Sequence, residues 1–110
     1  MPNNGREQIR MLNDELRKDL LGGGAVMTPG IAAMGPEAVL RLVQNLAAFD
    51  NFSDENDPHQ EHDFGALELD GVKIFFKIDY YDKTLTGHSP DPADPTVTER
   101  VITIMRADEY

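Results

Sequence analysis

The densest set of chemically capable side chains is Asp57-Pro58-His59-Gln60-Glu61-His62-Asp63. Carboxylates beside imidazoles can hold a divalent cation or move protons. His59, Glu61, His62 and Asp63 form the candidate ligand set, and His59 and His62 have the H-x-x-H spacing of half a metal site. The established templates are unmet, however. There is no H-E-x-x-H helix. A calcium loop counted from Asp54 puts His59 at the sixth position, where glycine makes the turn. It puts Gly65 at the twelfth, where a bidentate glutamate belongs. The same residues also fit a hydrogen-bonded loop in which Asp and Asn side chains fix backbone turns.

Two other groupings carry chemistry on paper. Asp79-Tyr80-Tyr81-Asp82 joins carboxylates to phenols, an acid–base pairing in principle, although a tyrosine at a strand end more often satisfies its hydroxyl locally. Serine occurs only at Ser53 and Ser89, so His88-Ser89 is the one adjacent His–Ser pair, and no G-x-S-x-G is present. Gly22-Gly23-Gly24 suggests a phosphate loop but lacks its lysine and a preceding strand. With no cysteine, disulfides, thiolate catalysis and cysteine-ligated zinc are excluded. No motif implies a cofactor, and none compels an enzyme.

The elements that must position these residues follow from periodicity. Ile9, Leu12, Leu16 and Leu20 recur at helical spacing, with Glu7, Arg10, Asp14, Arg17 and Lys18 elsewhere on the wheel, which predicts a helix over 5–21. The glycine triplet ends it. Ala25 to Thr28 reads as a short edge strand closed by a Pro29-Gly30 turn. Pro36 suits the first position of a second helix whose apolar face is Val39, Leu40, Leu42, Val43, Leu46 and Ala47. A polar loop spans 50–63. The period then changes to 2, with Leu67 and Leu69 before Asp70-Gly71, a tight hairpin signal, and Val72, Ile74, Phe76, Ile78 and Tyr80 after it. A proline-rich loop, 88–95, precedes a last strand from Thr98 to Ala107, whose β-branched run also fits an edge able to pair with a second copy. Helices gathered before an antiparallel meander predict one α+β domain over 1–110. Its two N-terminal helices should pack on one face of a three- to four-stranded sheet.

Charge is segregated along this order. The whole chain carries 20 acidic and 10 basic residues, −10 in all. Residues 1–49 are balanced, whereas residues 50–95 hold twelve acids against Lys73, Lys77 and Lys83. A nucleic-acid binder needs a basic patch, and so does a protein held on anionic lipid. The distribution argues against both. The start, Met1 to Arg6, shows no apolar core of an export signal, and no apolar run approaches the roughly 20 residues of a membrane span. A soluble cytoplasmic protein, monomeric or homodimeric, is the expectation.

Several strings are distinctive together: Asn56-Asp57-Pro58-His59-Gln60-Glu61-His62-Asp63-Phe64-Gly65, then Lys77-Ile78-Asp79-Tyr80-Tyr81-Asp82, then Ser89-Pro90-Asp91-Pro92, then Arg100 to Met105 and Glu109-Tyr110. With Asn13-Asp14-Glu15-Leu16-Arg17 and Thr28-Pro29-Gly30, they make the chain resemble a small bacterial family, domain of unknown function three-seven-six-eight, over nearly its whole length. The resemblance implies a protein of similar size, often carried on plasmids and prophage-like elements, and assigns no catalytic residue. Small acidic proteins of mobile elements look like inhibitors of host defence, anti-CRISPR proteins among them.

The expectation is therefore an acidic binding module. Asp54, Glu55, Asp57, Glu61, Asp70, Asp79, Asp82, Asp91 and Asp94 would stand in for phosphates on a basic protein surface, for example a subunit of a CRISPR surveillance complex. The competing expectation is a small metal-binding protein or metal-dependent enzyme built on His59, Glu61, His62 and Asp63. A third makes Asp57, Glu61 and Asp63 architectural, capping backbone groups and pairing with Lys77 or Arg100.

Overall fold

The computed structural model describes residues 4–21 and 23–110. The readings made above for Met1 to Asn3 and for Gly22 lie outside the described residues. The order is α1 (Asn4–Asp19), β1 (Gly24–Met27), α2 (Pro29–Ala32), α3 (Pro36–Ala48), β2 (Phe64–Leu69), β3 (Val72–Tyr81) and β4 (Glu99–Arg106), then a 3-10 turn at Ala107–Glu109. The four strands form one sheet in the order β1-β4-β3-β2. The fold is α+β, with the helices on one face of a mostly antiparallel sheet.

Period-2 alternation decides which face is covered. From β3, Ile74, Phe76 and Ile78 point to the helices. From β4, Ile102 and Ile104 join them, and Leu16, Ile31, Ala38, Leu42 and Leu46 close the core from the helical layer. On the opposite face Phe75 packs with Phe64 and Tyr110, centroids 5.3 and 5.6 Å apart. The β2–β3 hairpin turns at Asp70 and Gly71, with φ of 53° and 78°. Positive φ at both central residues is what a two-residue turn needs to match strand twist, and Asp-Gly supplies it at low cost.

Four details differ from the sequence reading. β4 is interior to the sheet, antiparallel to β3 and parallel to β1, so it is not an edge open to a second copy. The edges are β1 and β2. Pro29-Gly30 opens the short helix α2 instead of a turn. Glu109 clasps this helix start by accepting from the Thr28 hydroxyl at 2.7 Å and the Gly30 N–H at 3.0 Å. Leu40 lies off the buried stripe of α3, 60% exposed. Finally, the polar side of α1 is not all solvated: Asn13 and Arg17 are buried. Asn13 continues the i, i+4 row from Ile9 to Arg17, and so falls within the stripe that docks.

Candidate functional site

The strand register brings both acidic loops to one end of the sheet. The 50–63 loop delivers the chain to Phe64, which pairs with Lys77. The 82–98 loop joins Tyr81 to Glu99, which pair with each other. The carboxylates at this end fall into two groups, those joined to the latch around Asn13 and those outside it.

The first group surrounds Asn13. Its Nδ2 donates to the Glu61 carbonyl at 2.9 Å and to the Tyr80 hydroxyl at 2.8 Å. Its Oδ1 accepts from Arg100 Nε at 2.7 Å. The Tyr80 hydroxyl donates to Glu61 Oε1 at 2.8 Å, and Arg100 Nη2 donates to the Pro92 carbonyl. The Arg100 guanidinium lies over the Tyr80 ring, 5.0 Å from its centroid. One amide thereby ties α1 to the 50–63 loop, β3 and β4, and Arg100 carries the network on to the 82–98 loop. Burial is the main cause that pushes the Tyr80 phenol far above its ordinary pKa, with Glu61 adding to it against the Asn13 hydrogen bond. Tyr80 keeps its proton at neutral pH and donates it to Glu61 in a hydrogen bond.

Asp57 is buried and accepts at Oδ1 from the N–H groups of Glu61 and His62, at 3.0 and 3.1 Å. Those bonds hold a tight turn in which Gln60 and His62 both sit at φ 58°. Asp57 does what the architectural reading asks of it, and Glu61 shares that role through Tyr80. His62 stacks flat on Phe52, centroids 3.8 Å apart, and its Nδ1 lies 2.8 Å from Asp14 Oδ1. Its Nε2 is 3.8 Å from Asp57 Oδ2. On α1, Arg17 Nη1 meets Asp14 Oδ1 at 2.7 Å and Arg17 Nε donates to the Leu46 carbonyl at 3.1 Å. Burial is the largest influence on Asp14 and acts to raise its pKa. The hydrogen bonds and charges of Arg17 and His62 outweigh it, so the net direction is down. Gly65 closes the N-D-P-x-x-E-H-D-F-G string because the Phe76 and Phe49 rings lie against its Cα and leave no room for a Cβ.

His59, Glu61, His62 and Asp63 are not brought together. His59 faces solvent, Glu61 faces Tyr80, and both His62 ring nitrogens face carboxylates of the chain itself. Among the described residues no group of three His, Asp or Glu side chains converges so as to hold a metal ion. Asp63 is half-buried and pairs with neither Lys77 nor Arg100. Burial chiefly raises its pKa, reinforced by the charges of Glu61 and Asp57.

The second group is the acids outside the latch. Asp54, Glu55 and Asp91 are exposed. Asp82 accepts from the Thr84 and Thr86 N–H groups, and Asp94 from that of Thr96. The Thr86 amide, then the Thr84 hydroxyl, hold the Asp82 carboxyl below its usual pKa. The Thr96 hydroxyl and amide do so for Asp94. Asp79 lies 3.5 Å from Lys77 Nζ. Asp70 stands apart from the acidic end, at the β2–β3 turn, in a bidentate pair with Arg41 at 2.7 and 2.8 Å.

The residues that sequence reasoning left out of the site are Asn13, Asp14 and Arg17; Arg100 entered only as a pairing partner for the acids, and it bonds Asn13 instead. The available signal was Asn13 and Arg17 at i, i+4, flanking Leu16 on the row that carries Ile9.

Fold and site together define a two-layer α+β protein whose helical layer is latched by one buried asparagine to an acidic loop end. No helix among the described residues is long and apolar enough to cross a membrane. The chain belongs to the family described as protein of unknown function (DUF3768), whose model matches residues 27–109. No curated protein and no solved structure matches it.

Proposed function

We propose that this protein is an acidic binding module that docks on a basic surface of a nucleic-acid-handling complex and keeps nucleic acid off it. The observation that carries this reading is the meeting of the two acidic loops at one end of the sheet, with Asp54, Glu55, Asp82, Asp91 and Asp94 outside the latch. Such an end creates a directional field that steers a cationic partner and weakens with salt. The Asp82 and Asp94 turns hold their carboxylates charged and in fixed positions, so less side-chain entropy is lost on docking. Asp57 and Glu61 leave the docking set because the loop turn and the latch use them, and Asp70 leaves it because it lies at the β2–β3 turn, away from the two loops.

The basic surface belongs, on this reading, to a CRISPR surveillance complex of the type I class. Competition between the protein and target DNA for such a complex tests it. DNA binding should fall with added protein and recover with salt. A variant with Asp54, Glu55, Asp91 and Asp94 all changed to their amides should compete at least about tenfold more weakly. Unchanged DNA binding at saturating protein overturns the masking mechanism.

A further inference from the structure

The helices cover one face of the sheet, and Tyr110 caps one corner of the other, 5.6 Å from the Phe75 ring. Alternation along the strands gives that outer face Val26 from β1, Phe64 from β2, Phe75 from β3 and Val101 from β4. An antiparallel sheet with one face in water ordinarily turns polar residues outward. Here every strand turns an apolar one, and Val26 is 48% and Tyr81 37% exposed. Contiguous exposed apolar surface marks an interaction site.

Charge identifies the occupant. The outward strand positions carry Glu68, Asp79 and Glu99 with Lys73 and Lys77. Glu68 stands opposite Lys73 in the register, Asp79 lies 3.5 Å from Lys77 Nζ, and Glu99 lies 3.5 Å from Lys83 Nζ. These three acids and three bases sum to zero, so the −10 of the chain lies entirely off this face. A basic partner is drawn to the acidic loop end and finds no net attraction here, whereas a second acidic copy approaches at least cost through a neutral face. The pattern is also self-complementary. The register puts Asp79, Val101 and Gly24 in one row and Lys77, Thr103 and Val26 in the next. A two-fold axis lying between the two faces, across the strands at Ile78, sets each Lys77 against the second copy's Asp79. It also sends the two acidic loop ends to opposite poles.

We infer that this outer face binds the same face of a second copy, making a two-fold dimer with the two sheets stacked about 10 Å apart. The apolar residues supply the attraction, and the Lys77–Asp79 crossing fixes the register. Both acidic loop ends stay free for the partner proposed above.

The test uses the full chain and follows sedimentation velocity from about 1 to 300 µM at about 0.15 M salt. The mass should rise from the 12.3 kDa of one chain towards twice that, with a midpoint at about 10–100 µM, as a modest interface gives. Lys77→Glu leaves two acids at the crossing and Asp79→Lys leaves two cations. Each variant alone should associate at least about tenfold more weakly. An equimolar mixture of the two should regain native association, because every crossing contact then joins opposite charges, and a misfolded chain would not recover in this way. Val26→Lys, at an exposed edge position, sets a charge against the second copy's Gly24 and should weaken association as well. A chain that stays monomeric at about 300 µM overturns the inference and gives the face to a different protein. A dimer that all three variants leave intact overturns it by moving the contact to the β1 or β2 edge. Weakened single variants whose mixture recovers nothing overturn it too.

Discussion

Asn13→Ala is the substitution that asks most of the latch. Asn13 is fully buried, and its side chain makes three hydrogen bonds of 2.7 to 2.9 Å. Truncation leaves Tyr80 with Glu61 as its acceptor, but it orphans the Glu61 carbonyl and the Arg100 Nε–H. A buried polar group without a partner costs about 1–3 kcal/mol, and a charged one more. Two such groups give about 3–5 kcal/mol. A small domain has a total stability of about 5–15 kcal/mol, so the variant should remain folded but marginal. Its Tm should fall by about 15 °C or more. Urea unfolding followed by circular dichroism measures the loss directly, and an unchanged m-value shows that the folded and unfolded states themselves are not altered. Arg100→Met, alone and combined with Asn13→Ala, completes the cycle. If the two residues act through each other, the double variant should lose less than the sum of the singles by about 1 kcal/mol or more. A loss below about 1 kcal/mol for Asn13→Ala, or strict additivity, refutes the reasoning.

Gly65→Ala should cost about 1–3 kcal/mol, since its new methyl meets the Phe76 and Phe49 rings; an unchanged urea midpoint would mean those rings shift freely. Asp63 carries a raised pKa, so the folded state holds its proton more firmly than the unfolded chain, and its contribution is lost as pH rises through the folded value. Asp63→Asn should therefore be more stable than the native chain at neutral pH, with the advantage disappearing towards about pH 3 in a series of urea melts. Asp14 has the opposite sign. Its lowered pKa gives stability that is present above the ordinary carboxylate value and lost as pH falls through the depressed one. Asp14→Asn should be less stable at neutral pH and converge on the native chain in strong acid, and a gap that persists in acid would refute the assignment.

The strands were legible because each period-2 run is bounded by turn chemistry, and Asp70-Gly71 fixed the hairpin register on its own. The interior place of β4 was not. Composition cannot separate a central strand from an edge when the deciding partner is β1, four residues long and paired in parallel at the other end of the chain. The acidic loops were visible as charge, but their division into scaffold and surface was not. Asp57 and Asp54 are the same residue type three positions apart, and only the turn around Gln60 and His62 buries one of them. Arg17 was placed off the apolar row of α1, and Asn13 was given no place in the core, because polar residues in an amphipathic pattern usually face solvent. What overrides that rule is a set of partners, the Glu61 and Leu46 carbonyls and the Arg100 guanidinium, that arrive from segments between 29 and 87 residues away.

The interior position of β4 also sets the order in which the chain can assemble as it is synthesised. β1 finds its sheet neighbour only when Val101 to Ile104 exist, and Asn13 waits for Arg100 across 87 residues. Until then only the β2–β3 hairpin can close, and the apolar faces of α1 and α3 leave the ribosome without the strand that completes their cover. Nascent chains stopped before Glu99 should accordingly be open to proteases and to chaperones, and docking of the two halves should be the slow step of refolding, as non-local topology requires.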